Sequence, residues 1–430
     1  MDNVKIEALV RGKIDNLAFG GEGILRHQNL VIFVPFAAPE DVVSCRLVKI
    51  KKNYAEASIE EVLEKSPFRR EPACKYFGIC GGCQLQHLKY EEQLKVKQQW
   101  IKDAFQRIGK CENVNVLKVI PSKNEYVYRR HVSLTIKNLK KSCVAGYVGA
   151  NPKTFVEVDE CPIFIQRQDP LLKDLQAFVH SFEMEDDSAK VTILKDGNDK
   201  YILHFHFKHL PKNSRSIMQN VSNYKNFAAL TLSSPRSTLT SGKKINTLEF
   251  EGLFFDFSSD VFMQNNPEQS INIYRKILSI AKESAPKRIL DLYCGIGISS
   301  LILAKTGFSV TGIEYNGQSI KMANLNARKN NISNVKFIEG SVEDILEKEE
   351  IPDFVIINPP REGLDPKVID LLKLKLPEKI VYISCMPSTL ARDINLLGKE
   401  NYTIDECQPY DMFPQTTHVE TLVTLRKINR

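Results

Sequence analysis

Two grammars of hydrophobic and polar positions divide the chain near residue 262. Downstream, short apolar runs alternate with amphipathic stretches. Residues 288–293 (RILDLY), 309–316, 335–340, 352–360 and 379–384 (KIVYIS) read as buried strands. Between them, residues 267–285, 298–307, 318–331, 367–375 and 388–399 repeat their apolar positions at helical spacing. Two closing strands, 402–411 and 417–426, have the pattern of an antiparallel pair. Strands alternating with helices predict an α/β, doubly wound sheet, which binds ligands at the carboxyl ends of its strands.

Upstream the pattern differs. Residues 4–14, 21–26, 30–36, 41–52 and 54–63 alternate as short strands broken by Gly20-Gly21 and Pro39-Glu40-Asp41, the signature of a small barrel. In 89–109, Leu94, Trp100, Ile101, Phe105 and Ile108 recur at helical spacing before Gly109, predicting an amphipathic helix. From 114 to 262 the strands 129–137, 201–208, 227–233 and 248–257 accompany one or two helices, an α+β style without parallel pairing, and 233–244 reads as a loop. The resulting division is a β-barrel over 1–64, a central α+β domain over 65–262 and an α/β domain over 263–430, with the 89–109 helix free to pack on the last.

Composition narrows the class. A 430-residue chain exceeds one core, and 43% apolar with 26% charged residues describes a soluble globular protein. The most apolar run, 289–304, holds Asp291 and two glycines and is too short to span a bilayer. The charged N-terminus lacks a signal-peptide core, so a cytoplasmic chain is expected, its ten cysteines acting as thiols, ligands or catalysts; a monomer is expected as well. Residues 1–262 carry 38 Lys and Arg against 31 Asp and Glu, whereas 263–430 carry 21 of each. The basic excess, with Arg46, Lys49, Lys51 and Lys52 on one barrel strand and its turn, points to a polyanion.

Four motifs sit at strand ends. LDLYCGIGISS (290–300) is a strand, a glycine turn and a helix, and Glu314 ends the next strand nineteen residues after Gly295, where a carboxylate can hold a ribose. Ser300 replaces the third glycine of a dinucleotide fingerprint, which favours an adenosylmethionine site over a nicotinamide one. NPPREG (358–363) breaks rigidly from its strand because successive prolines forbid strand pairing. In SCMPSTLARD (384–393), Cys385 ends the fifth strand. A free cysteine is ordinarily core filler, but this position puts the thiol at the ligand crevice, whereas Cys294 belongs to the glycine turn. DMFPQTTHVET (411–421) places His418 and Glu420 at the start of the last strand, where a carboxylate can take a proton.

A fifth cluster lies upstream. Cys74-x5-Cys80-x2-Cys83, with Cys161 in DECP, makes a four-thiolate set around Gly78, Gly81 and Gly82. Spacing alone fits tetrahedral zinc and an iron–sulfur cluster equally. Cys45, Cys111, Cys143 and Cys407 fit no motif.

Together SCxPxTLARD, DMFPxTxHxE, the CKYFGICGGCQLQHL and DECPIF cysteines, and the IDNLAFGGEGI and FVPFAAPEDV segments resemble the uracil-C5 RNA methyltransferases over essentially the whole chain, in their branch with a TRAM barrel and an iron–sulfur site. The resemblance implies a Rossmann-like class I methyltransferase domain, RNA binding by the barrel, and S-adenosylmethionine as methyl donor. It implies Cys385 as nucleophile toward uracil carbon 6, Glu420 as base for the carbon-5 proton, and Gln264, Tyr293, Glu314 and Asn358 as cofactor contacts. It implies a [4Fe–4S] cluster on Cys74, Cys80, Cys83 and Cys161, zinc being the alternative. Most relatives carry Asp at 358 and many carry Asn at 298, where this chain has Asn and Ile; a weakened, RNA-binding assembly factor is the competing reading. The barrel and cysteine set together resemble the 23S ribosomal RNA enzymes more than the bacterial transfer-RNA enzyme, although some iron–sulfur relatives modify transfer RNA.

Overall fold

The computed structural model describes residues 5–196, 200–242, 245–258, 261, 263–350 and 352–428. Strands β1 (Leu9–Lys13), β2 (Asn16–Leu17), β3 (Gly23–His27), β4 (Leu30–Val34), β5 (Val42–Ile50) and β6 (Tyr54–Glu64) form one sheet in the order β1-β5-β6-β4-β3-β2. It encloses Ile14, Leu25, Ile32, Val34, Val43 and Cys45. Two of the basic side chains expected to face a polyanion are committed elsewhere: Arg46 pairs with Glu60 at 2.9 Å and Lys49 with Glu56 at 2.6 Å. The pairing of β5 with β6 puts Lys49 opposite Glu56 and Arg46 opposite Ser58, two residues from Glu60, which the linear charge pattern does not reveal.

Helix α1 (Tyr90–Arg107) wedges between this sheet and the last one. Its Val96 and Trp100 pack on Leu17 and Leu85, and the Trp100 indole donates to the Leu17 carbonyl at 2.9 Å. One turn on, Ile101, Ala104 and Phe105 enter the core of the α/β sheet beside Leu390 and Ala391.

The central sheet contains β7 (His131–Asn138), β8 (Cys143–Val148), β9 (Phe155–Glu157), β10 (Ser188–Lys195), β11 (Tyr201–His206), β12 (Phe227–Ser233) and β13 (Thr238–Gly242), ordered β13-β12-β11-β10-β7-β8-β9. Helix α2 (Leu171–His180) buries its apolar stripe on one face, and α3 (Ser214–Asn220) lies in the connection between β11 and β12. Contrary to the expectation of no parallel pairing, β11 and β12 run parallel, because that connection is long enough to return the chain to the same end. Residues 238–242, read as loop, are β13, pinned by pairing with β12. The single strand expected over 248–257 is a hairpin, β14 (Asn246–Phe250) and β15 (Leu253–Phe257), turned through Glu251 and Gly252 at positive φ.

The last sheet follows α4 (Pro267–Ser284): β16 (Arg288–Leu292), α5 (Ile298–Lys305), β17 (Ser309–Glu314), α6 (Gly317–Lys329), β18 (Val335–Glu339), α7 (Val342–Lys348), β19 (Phe354–Ile357), α8 (Pro366–Lys375), β20 (Lys379–Ser384), α9 (Pro387–Leu397), β21 (Tyr402–Tyr410) and β22 (Glu420–Lys427). Its order is β18-β17-β16-β19-β20-β22-β21, with β22 antiparallel to both neighbours. The order reverses between β16 and β19, which makes the crevice above them the expected ligand site. Helix α7 carries no strong apolar stripe and was not foreseen; the Ser341 hydroxyl caps it, accepting from the Asp344 amide. No described helix is long and apolar enough to cross a membrane.

Candidate active site

The turn from β16 into α5 is built for close approach. Tyr293, Gly295 and Gly297 all take positive φ. A Cβ on Gly297 would meet the Phe337 ring at 2.5 Å, whereas one on Gly295 would meet nothing within 4 Å, so the turn is packed below and open above. Glu314 ties it to the next strand: one carboxylate oxygen accepts from the Gly295 amide at 3.1 Å, the other from Asn316 at 2.8 Å. Beneath, buried Asp291 accepts from the Ser299 and Ser300 hydroxyls, both at 2.6 Å, and burial pushes its carboxyl up to about 6. Ser300 therefore anchors the helix start instead of making a third glycine contact. The cleft above this turn is lined by Gln264, Tyr293, Gly295, Ile298 and Asn358.

The 358–363 segment is held by α9. Asp393, fully buried, accepts from the Leu364 amide at 2.8 Å and the Tyr382 hydroxyl at 2.7 Å. Arg392 pairs with Asp393 and donates to the Glu362 carbonyl at 2.8 Å. A side chain on Gly363 would meet the Asp393 carboxylate at 2.5 Å. The Arg-Asp ending of SCMPSTLARD thus carries the rigid segment after the double proline.

Cys385 is half-buried at the end of β20, and Glu420 opens β22 with only 3% of its surface exposed. Pairing of Ser384 with Thr421 sets the register, so the next step outward puts Cys385 opposite Glu420. Burial pushes the Glu420 carboxyl up to about 8, opposed by the nearby Arg361 guanidinium. Burial and the Glu420 charge raise the Cys385 thiol above its ordinary range, and Arg361 again pulls the other way. One cation therefore serves two acidic groups. Arg361 lies inside NPPREG, where the sequence alone marks no role for it; the available signal is a cation directly after two prolines at a strand end.

His418 comes close to this pair but looks elsewhere. Its ring meets Phe413 edge-on at 5.8 Å, burial pushes it down to about 4, and it lines a second cavity with Asn265.

That cavity, of about 370 Å³, brings together Cys74, Cys80, Cys83 and Cys161. The Gly82 amide donates to the Cys80 sulfur at 3.4 Å and the Tyr147 hydroxyl to the Cys161 sulfur at 3.8 Å. Arg129 lines the same space, its Nε buried and unpartnered. A Cβ on Gly81 would meet the Gly149 carbonyl at 2.8 Å, so glycine there lets the loop pack on β8. Burial raises all four thiols, Cys83 to about 11 and Cys161 to about 12. Among the described residues no group of three or more His, Cys, Asp or Glu side chains is arranged to hold a metal ion; the four thiols surround the cavity.

Comparison with known proteins follows the same outline. The family model described as tRNA (uracil-5-)-methyltransferase matches residues 89–428, and the TRAM domain model matches residues 5–59. An uncharacterized RNA methyltransferase of Protochlamydia amoebophila is 44% identical over 429 residues, covering 98% of this chain and 99% of the relative. One from Clostridium acetobutylicum is 31% identical, covering 97% and 96%. Among solved structures, the Pyrococcus abyssi tRNA (uracil-54, C5)-methyltransferase in complex with S-adenosyl-L-homocysteine superposes with a TM-score of 0.76 at 28% identity, covering 97% of this chain and all of that one.

Proposed function

The chain belongs to the tRNA (uracil-5-)-methyltransferase family, and we propose from that premise that it methylates carbon 5 of a uridine in RNA through a covalent adduct on Cys385. The observation that carries this reading is that Cys385, directly after β20, and Glu420, at the start of the adjoining β22, both feel the Arg361 guanidinium beside the glycine-turn cleft.

Carbon 5 of uracil is a weak nucleophile. The Cys385 thiolate adds to carbon 6, the carbon–carbon double bond opens, and negative charge moves onto carbon 5 and the adjoining carbonyl. S-adenosylmethionine supplies the methyl group as an electrophilic sulfonium, which carbon 5 accepts. The Glu420 carboxylate then removes the proton left on carbon 5, the double bond re-forms, and the carbon–sulfur bond breaks to release the Cys385 thiolate. Arg361 holds the negative charge that passes between the two side chains. Burial suits Glu420 to this role, because a base near neutral pKa is stronger than a solvated carboxylate. Gln264, Tyr293, Glu314 and Asn358 are the residues that would hold the methyl donor. To reach Cys385 the uridine must leave the RNA stack.

Cys74, Cys80, Cys83 and Cys161, which line one cavity without being drawn together as a metal site, are the residues that would hold a [4Fe–4S] cluster. The donor set is four thiols, two hydrogen-bond donors point at sulfur, and half-buried Arg129, its Nε unpartnered, offers the charge that a thiolate-bound cluster needs. When bound, the cluster supplies cross-linking of distant segments, since adduct formation and proton removal transfer no net electron. Residues 1–64, 65–262 and 263–430 serve as barrel, central and catalytic domains of a monomer.

For the substrate we favour 23S ribosomal RNA, because the barrel and cysteine set together resemble those enzymes. A transfer-RNA uridine is the second reading, favoured by the whole-length likeness to the Pyrococcus abyssi tRNA enzyme. Nucleoside mass spectrometry of both RNA classes from a deletion strain separates them: loss of 5-methyluridine from ribosomal RNA alone supports the first. For the chemistry, purified protein is mixed with target RNA and methyl-labelled S-adenosylmethionine. Cys385→Ala abolishes transfer, and Glu420→Gln accumulates a denaturation-resistant RNA adduct. Full activity of the alanine variant with no adduct in the glutamine variant would overturn the reading.

A further inference from the structure

Gln415 is an unusual residue for its place. It is not glycine, yet its φ is +71°, and it is fully buried. Left-handed backbone costs on the order of 1 kcal/mol outside glycine and persists where its surroundings over-determine it.

Those surroundings are specific. The Gln415 amide donates to Gln93 Oε1 at 3.0 Å, and Gln93 Nε2 returns a bond to Gln415 Oε1 at 3.0 Å. Arg70 donates to the same Oε1 at 2.7 Å, and Gln415 Nε2 donates to the Glu125 carboxylate at 3.2 Å. The Gln415 carbonyl accepts from the Gln84 and Leu85 amides at 3.1 and 3.0 Å, the two residues directly after Cys83. Every polar group of Gln415 is bonded, to partners from four separate segments upstream of residue 126.

The neighbouring backbone is clamped as well. Tyr128 donates to the Pro414 carbonyl at 3.0 Å, Lys97 to the Phe413 carbonyl at 3.0 Å, and the His418 amide to the Thr416 hydroxyl at 3.3 Å. This loop delivers the chain into β22 at Glu420. None of these contacts reaches Cys385, which rides on β20 and α9.

We propose that Gln415 is a positioning residue that keys the Glu420-bearing loop to the segment following Cys83, and so acts on proton removal without acting on thiol addition. The proposal rests on the reading of Glu420 as the base. Breaking the key leaves Cys385 and the cofactor cleft in place while Glu420 loses its aim. Addition and methyl transfer then proceed and elimination stalls.

The test uses the full-length protein with target RNA and S-adenosylmethionine, following the denaturation-resistant adduct on gels. Gln415→Gly, which relieves the strained φ but removes the side-chain bonds, is expected to lower kcat by about tenfold or more and to raise the adduct fraction by about tenfold. Its S-adenosylmethionine affinity stays within about twofold. Gln93→Met, which cuts the reciprocal pair from the helix side, shows the same pattern and decides the matter if the glycine variant does not fold. Slower turnover without adduct, parallel loss of cofactor affinity, or unchanged kinetics each overturns the proposal. Glu420→Gln is run alongside: no adduct there defeats the assignment of the base, whereas adduct there and none in Gln415→Gly defeats only the role of Gln415.

Discussion

Cys385 and Glu420 stand opposite each other one step beyond the last paired position of β20 and β22, Ser384 with Thr421. The Glu420 charge acts on the Cys385 thiol, so the two acidic groups are electrostatically coupled. Two groups that each become anionic cannot ionise there independently, and Arg361 is the cation that lets them do so in turn.

Replacing Arg361 is therefore expected to hurt both chemical steps. Arg361→Met leaves burial unopposed and raises both groups further. Methyl transfer should drop by roughly 10²-fold or more, and the rising limb of the pH–rate profile should move to higher pH. Arg361→Lys restores charge without the planar fork and should recover part of the rate. Initial rates across pH 6.5–9.5, a window chosen about the shifted pKa values, check this.

Glu420 also makes a stability prediction. Its carboxyl ionises at about 8 in the folded protein but near 4.3 when unfolded. The folded state thus holds the proton more tightly, and stability falls as pH rises from the unfolded value through the folded one. Glu420→Gln removes this loss. The variant should be more stable than the parent at pH 8.5 by on the order of a few kcal/mol, and so melt higher, and the margin should shrink toward pH 5. Calorimetric Tm values at the two pH values decide it.

Lys97 and Asp411, both fully buried and 2.6 Å apart, fasten α1 to the start of the same loop. Lys97→Met strands a buried carboxylate and should cost about 3–5 kcal/mol. Adding Asp411→Leu should recover much of that loss, because an apolar pair of similar volume carries no desolvation penalty. Urea denaturation of the single and double variants measures both.

The cysteine cavity predicts a metal dependence. If the proposed cluster is bound, Cys161→Ser removes the thiol farthest in sequence from the other three and should lower bound iron and inorganic sulfide together. It should also lower Tm by several degrees, since a metal centre that bridges residues 74–83 with residue 161 contributes folding free energy. Iron and sulfide analysis of anaerobically purified protein distinguishes this from zinc, which would appear without sulfide.

Much of this was legible beforehand because the signals were local. The α/β half announces itself through periodicity, and its glycine turn, double proline and strand-end cysteine lie within single motifs. The central sheet was harder. Strands β8, β9 and β13 have weak alternation and are stabilised by partners distant in the chain, so no short window reveals them. Helix α7 was missed for the same reason: its seven residues bury only Val342 and Leu346. Arg46 and Lys49 looked available to a polyanion until strand pairing set carboxylates beside them.

Taken alone, the order of residues determined which family the chain resembles and which groups are candidates for its chemistry, because reactive side chains and tight turns require particular residues at particular spacings. Only the folded chain decided how those groups act on one another. Arg361 between two acids, Asp393 beneath the proline segment, and Gln415 joining the cysteine loop to Glu420 all link positions far apart in sequence. Hydrogen bonds and charge–charge terms fall off over a few ångströms in space, and linear spacing does not encode that distance.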